Sequence, residues 1–122
     1  MNTYLQKGLL ELQNNKYSKA IFDVVNTVPV CKTVFVLIAN EMLPDPNWGR
    51  ILTLYTFQQH MVKKSNYDPE FSEFTEIWLK QNVTLWVEAN GGWEGLNTFL
   101  QGRKSIGEYQ RESLTFLWNW NK

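Results

Sequence analysis

Val34-Phe35-Val36-Leu37-Ile38 decides the fold, because by residue preference this run reads as a β-strand. The rest of the chain argues against that reading. No other segment offers a convincing partner strand, and a lone strand would leave its ladder of N–H and C=O groups unpaired. The stretch from Val30 to Leu43 is therefore expected to be a helix, stopped by Pro44-Asp45-Pro46.

The flanking segments are helical by the same logic. Leu5, Leu9 and Leu12 recur at i, i+4 and i+7, the apolar stripe of a short first helix that Asn14 and Asn15 end. A second short helix, from about Ser18 to Asn26, presents Ile21, Phe22 and Val25 on one side before Val28-Pro29 imposes an extended turn. Beyond the prolines, Asn47 is placed to cap a helix from Trp48 to about Lys64. Its apolar residues, Ile51, Leu52, Leu54, Tyr55, Phe57, Met61 and Val62, spread around the circumference, which predicts a helix buried at the centre.

Asp68-Pro69-Glu70 is a helix start: a capping acid, a proline at the first helical position and an acid in the first turn. Phe71, Phe74, Trp78 and Leu85 are expected on one face, with Glu76 and Lys80 as an i,i+4 pair on the solvent side. Asn90-Gly91-Gly92 breaks this helix, and Trp93, Leu96 and Leu100 support a short successor ending near Gly102. Ser105-Ile106-Gly107-Glu108 has the spacing of a capping box, opening a last helix with Tyr109, Phe116 and Trp120 as its stripe. The expected fold is an all-α bundle in a single domain, residues 1–122, without internal repeats or low-complexity linkers.

Composition removes several function classes. Twelve basic residues balance twelve acidic ones, with no run of five like charges, so no electrostatic footprint for nucleic acid is present. Cys31 is alone, which rules out an internal disulfide and fits a reducing compartment. Residues Met1 to Leu12 carry no apolar signal region, and the longest apolar stretch, Val34 to Ala39, falls far short of the ~20 residues needed to span a bilayer. The chain is expected to be soluble and intracellular, and the Asn82-Val83-Thr84 sequon is then without meaning.

Chemistry is equally sparse. The single histidine, His60, has no second histidine with which to form metal-ligand spacing, and Cys31 has none nearby in sequence. There is no phosphate-binding glycine loop, and the acids are scattered rather than convergent. Neither catalysis nor a cofactor or metal is expected. Six tryptophans at helical spacing read as core.

Two segments stand out, Asn47-Trp48-Gly49-Arg50 and Trp86-Val87-Glu88-Ala89-Asn90-Gly91-Gly92-Trp93, each coupling a large aromatic to glycine. Arg50 lies in the first turn of an apolar helix. An arginine there can point into solvent, yet cations are disfavoured at helix N-termini, and an anionic partner attracted by the same dipole explains it better. Gly49 leaves room for that partner's backbone, and Thr53, Leu54 and Phe57 continue the face as an apolar floor. A carboxylate on an incoming amphipathic helix meets each of these conditions.

At these residues the chain resembles the Bcl-2 family of apoptosis regulators. Asn47-Trp48-Gly49-Arg50-Ile51 matches the family's first homology motif and Trp86 to Trp93 its second, in order and bridged by a helix of suitable length. The match runs from about Asn40 to Leu100 and is topological outside it. It implies a bundle whose central helix is wrapped by amphipathic ones, leaving a groove for the Bcl-homology 3 helix of pro-apoptotic host proteins. By that resemblance Arg50 would pair with the ligand's aspartate, Asn47 would hydrogen-bond near it, and Gly49 would admit its small residue. Ile38, Met42, Thr53 and Phe57 would line the apolar pockets, with Phe22 and Val25 beside them.

The chain departs from the family in three places. The long connection between the first two helices is absent, as in compact viral homologues. Gln58-Gln59 replaces the small glycines that follow the phenylalanine, and the turn before Asn47 is one residue shorter. No hydrophobic anchor follows Lys122, so either one has been trimmed or membrane targeting is indirect, with peripheral association at the mitochondrion.

The resemblance implies a pro-survival protein of the host cytoplasm. A second reading is a pore-forming effector, which must expose its own Bcl-homology 3 segment, with leucine five residues before an aspartate and a small residue just before it. Here Phe22 precedes Asp23 and Ser18 holds the leucine position. A third is a helical scaffold or homodimer with a decayed groove, favoured if Trp118 or Trp120 is exposed.

Overall fold

Why Val34 to Ile38 is helical is visible in what the segment buries. In the computed structural model, which describes residues 2–13 and 17–101, Phe35, Ile38, Ala39 and Met42 face the interior while Leu37 is exposed. That is a helical period of burial. Helices run Thr3–Gln13 (α1), Tyr17–Val25 (α2), Lys32–Met42 (α3), Trp48–Lys64 (α4), Pro69–Ala89 (α5) and Gly92–Gln101 (α6). The described residues contain no strand, so the architecture is an all-α bundle.

α4 is the axis of the molecule. Asn47 caps it, its Oδ1 accepting from the Arg50 N–H at 2.9 Å. Trp48, Ile51, Leu52, Leu54, Phe57, Met61 and Val62 are all buried, on several faces, because α1, α2, α3 and α5 each pack on this helix. α1 comes closest at Gly8, where a Cβ would sit 2.8 Å from a Leu52 methyl carbon. Asp68 opens α5 as its sequence predicts, its Oδ2 accepting from the Phe71 N–H at 2.9 Å with Pro69 in the first turn.

Two expected faces are corrected. The buried stripe of α5 is Phe71, Thr75, Leu79, Val83 and Val87, whereas Leu85 is 80% exposed. Phe74 is half-buried at the rim, with the Lys32 ammonium 5.2 Å from its ring centre. On α2 the inward residues are Ile21, Val24 and Val25, and Phe22 is 42% exposed. In both helices an aromatic or leucine set by spacing alone lies one step around from the residues that reach α4.

Gln58 shows how a polar residue fits the interior. It is buried, and its Nε2 donates to the Thr75 hydroxyl on α5 at 3.0 Å. Lys64, at the other end of α4, donates to the carbonyls of Val25 (2.9 Å) and Val28 (2.7 Å), filling acceptors that the end of α2 leaves open. Among the described residues no helix is long and apolar enough to cross a membrane. The Asn14-Asn15 stop, the Ser105 to Glu108 box and the stripe of Tyr109, Phe116 and Trp120 lie outside the described residues, as does Trp118.

Candidate functional site

The start of α4 gathers three of the predicted site residues. Asn47 has extended backbone (φ −147°, ψ 171°), and its side-chain oxygen is committed to the cap, so its amide Nδ2 is the group available to a ligand. Gly49 is buried one residue further on. The Arg50 side chain is 26% exposed and folds back over the connection from α3. Its Nη1 donates to the Asp45 carbonyl at 2.6 Å and lies 4.0 Å from the Asp45 carboxylate, which is itself 96% exposed. The guanidinium carries five donors, and those contacts engage one nitrogen.

The apolar candidates lie inside the bundle. Ile38, Met42, Thr53, Phe57 and Val25 are all buried. Phe57 stacks on Phe35 with ring centres 6.2 Å apart and planes 10° from parallel, while the Thr53 hydroxyl donates to the Gly49 carbonyl at 2.9 Å. Phe22 stands apart from these, its ring meeting His60 edge to face at 5.5 Å. α2 and α3 both pack on α4, and these side chains come from the three helices and are enclosed in the core they share.

The second tryptophan-glycine segment serves packing. Trp86 and Trp93 converge on Trp48, at 4.8 Å and 6.0 Å between ring centres, and Trp93 also meets Tyr55 at 5.9 Å. The turn between α5 and α6 requires glycine twice, with φ of 91° at Gly91 and 66° at Gly92. Gly95 must be small for another reason: a Cβ there would fall 2.0 Å from the Asn90 carbonyl oxygen.

Among the described residues, Tyr55 and His60 have altered acidity. Burial, reinforced by the Glu76 carboxylate, pushes the Tyr55 phenol up to about 12. Burial and then the Lys63 ammonium hold the His60 imidazole below its ordinary value, and its Nε2 is enclosed without a hydrogen-bond partner. Among the described residues no three His, Cys, Asp or Glu side chains converge as a metal site requires. A half-open cavity of about 600 Å³ lies between α1, α4, α5 and α6, lined by Tyr55, Gln58, Glu76, Lys80 and Trp93 among others, and holds none of the predicted site residues.

Asp45 is the residue that sequence reasoning missed. In sequence, an acid five residues before an arginine is a weak signal, and Asp45 reads only as part of a helix-stopping turn.

Among the described residues, a central helix buried on several faces, begun by an asparagine cap and an arginine and packed by α1, α2, α3 and α5, defines a helical bundle. A family model described as apoptosis regulator proteins of the Bcl-2 family matches residues 6–93, and the chain belongs to that family. Bcl-2-related protein A1 of Bos taurus is 33% identical over 84 residues, 60% of this chain and 47% of the relative. Apoptosis regulator BAX of Mus musculus is 32% identical over 98 residues, 73% of this chain and 50% of the relative. The chain thus spans about half the length of the curated relatives it matches. No solved structure matches it significantly.

Proposed function

We propose that this chain is a pro-survival receptor for the amphipathic Bcl-homology 3 helix of pro-apoptotic proteins. The observation that carries the reading is Arg50, partly shielded in the first turn of α4 and held through one nitrogen by a loop carbonyl. A charge-assisted bond from the rest of the fork to a ligand aspartate is stronger than its bond to a neutral carbonyl. Asn47 stands beside it with an uncommitted amide, and the apolar side chains of Ile38, Met42 and Phe57 lie in the core to receive the ligand's anchors. Since those side chains are buried, the helices that cover them must part for the ligand to enter, and the ligand's apolar face then replaces the contacts given up.

The sequence of α2 supports the pro-survival direction. A chain acting as its own death ligand needs a small residue before its aspartate, and Phe22 before Asp23 is bulky. The interval between α1 and α2, residues 14–16, is short, which supports the comparison with compact viral homologues. We place the protein accordingly in the host cytoplasm, associating peripherally with mitochondria.

Calorimetry against a panel of Bcl-homology 3 peptides tests the proposal. Binding is expected, and Arg50→Ala is expected to cost about 2 to 5 kcal/mol of it. If no peptide binds, the receptor reading fails. Permeabilisation of liposomes by the isolated protein would favour the effector instead.

A further inference from the structure

We infer that the Asp45 carboxylate is a tethered competitor for Arg50, an internal stand-in for the acid of an incoming helix. The inference rests on the receptor reading and deepens it by naming a residue that sets the threshold for ligand acids. Arg50 has two contacts of different kinds from the same residue. The Asp45 carbonyl accepts from Nη1 at 2.6 Å, whereas the Asp45 carboxylate hovers at 4.0 Å, outside hydrogen-bond range and almost wholly in solvent. The first contact orients the guanidinium. The second partly neutralises it.

The loop holds both in place. Asp45 stands between Pro44 and Pro46: each ring fixes its own φ, and Pro46 disfavours helical backbone at Asp45. The Nη1 bond to the Asp45 carbonyl keeps that residue's backbone against the arginine, so the local concentration of its carboxylate there is high whether or not a ligand is bound. Among the described residues the carboxylate has no cationic contact besides Arg50. A ligand aspartate reaching the fork meets this fixed negative charge at close range. It must displace it or bind beside it, and either costs affinity. A ligand with a neutral residue at that position bears no such cost, so Asp45 narrows the advantage that an aspartate-bearing helix has over others.

Asp45→Asn isolates the charge, because it keeps the carbonyl, both prolines and the side-chain shape. The probe is an amphipathic peptide with leucine five residues before an aspartate, alongside the same peptide with that aspartate changed to asparagine. Asp45→Asn should tighten the aspartate peptide by about two- to fivefold at low salt, the range of an exposed ion pair. The gain should shrink as salt is raised. It should be absent for the asparagine peptide and smaller in an Arg50→Ala background, where only direct repulsion between the two acids is left. Unchanged or weaker binding of the aspartate peptide overturns the inference, as does an equal gain for both peptides. A wild-type protein that binds neither peptide overturns the receptor reading and this inference together, whereas wild-type binding with a neutral Asp45→Asn overturns this inference alone. Pro44→Ala is the second variant: loosening the loop should reproduce part of the gain, and no change there with a gain in Asp45→Asn would overturn the tether.

Discussion

The rings of Trp48 and Trp86 meet edge to face, 4.8 Å between centres and 76° between planes, joining the first turn of α4 to the last turns of α5. Each belongs to one of the two tryptophan-glycine segments, so these motifs, 38 positions apart, form one aromatic cluster that fixes the end of α4 from which Arg50 projects. Trp48→Ala removes a buried ring and is expected to cost about 3 to 5 kcal/mol in denaturant unfolding. A double-mutant cycle with Trp86→Ala should return a coupling of about 0.5 to 1.5 kcal/mol. Additive losses would mean that the two rings are neighbours without mutual stabilisation.

The glycines after Trp86 have separable jobs, and stability measurements can tell them apart. At Gly92 nothing lies within 4 Å of a built Cβ, so Gly92→Ala carries only the penalty of a left-handed backbone, about 1 to 2 kcal/mol. Gly95→Ala places its methyl 2.0 Å from a backbone oxygen and forces the α5–α6 turn to shift. It should cost about 3 kcal/mol and lower the melting temperature more than Gly92→Ala does. The reverse order would show that the turn opens easily.

His60 gives the protein a pH-dependent weakness on the acid side. Its folded pKa lies below the unfolded value because burial and Lys63 disfavour the imidazolium. The unfolded chain then binds the proton more readily, so the histidine's contribution is complete above the unfolded pKa of about 6.5 and is lost as pH falls through the folded value. Protonation makes both ring nitrogens donors, and the enclosed Nε2 has no acceptor to meet. Between about pH 7.5 and about pH 5, wild-type protein should lose more stability than His60→Phe does. Equal slopes in chemical denaturation would remove His60 as the cause.

What the sequence discloses here is local chemistry and period. Asn47 and Asp68 cap the helices they precede because an acceptor three residues before an orphan N–H needs no tertiary context. The strand-like run around Phe35 resolves into a helix once the missing partner strand is counted. What stays hidden depends on how helices are rotated against α4. Leu85 and Phe22 have the spacing of inward residues yet face outward, and Gln58 is interior only because Thr75 arrives opposite it. The site divides the same way. Arg50 is legible from a charge that a helix start should not tolerate, while its partner Asp45 and the burial of Ile38, Met42 and Phe57 are products of packing.

Stability and recognition should separate cleanly at the start of α4. Asn47→Ala deletes the acceptor for the Arg50 N–H and should destabilise the protein by about 1 kcal/mol. Arg50→Ala removes a partly exposed side chain whose bonds are to a loop carbonyl and a distant carboxylate, so its effect on stability should stay within about 0.5 kcal/mol. Asn47→Asp distinguishes the two roles in one residue. It preserves the cap, and the added charge suits the positive end of the helix, so the fold should be as stable as wild type or more so. The same charge lies beside Arg50, where it would repel a ligand carboxylate and replace the amide donor with an acceptor, and peptide binding should weaken by about 1 kcal/mol or more at low salt. A variant with the melting temperature of wild type and a peptide affinity between those of wild type and Arg50→Ala is the expected outcome. Undiminished binding by Asn47→Asp would move the ligand's acid away from the start of α4 and leave Arg50 as a residue that only steadies the loop before it.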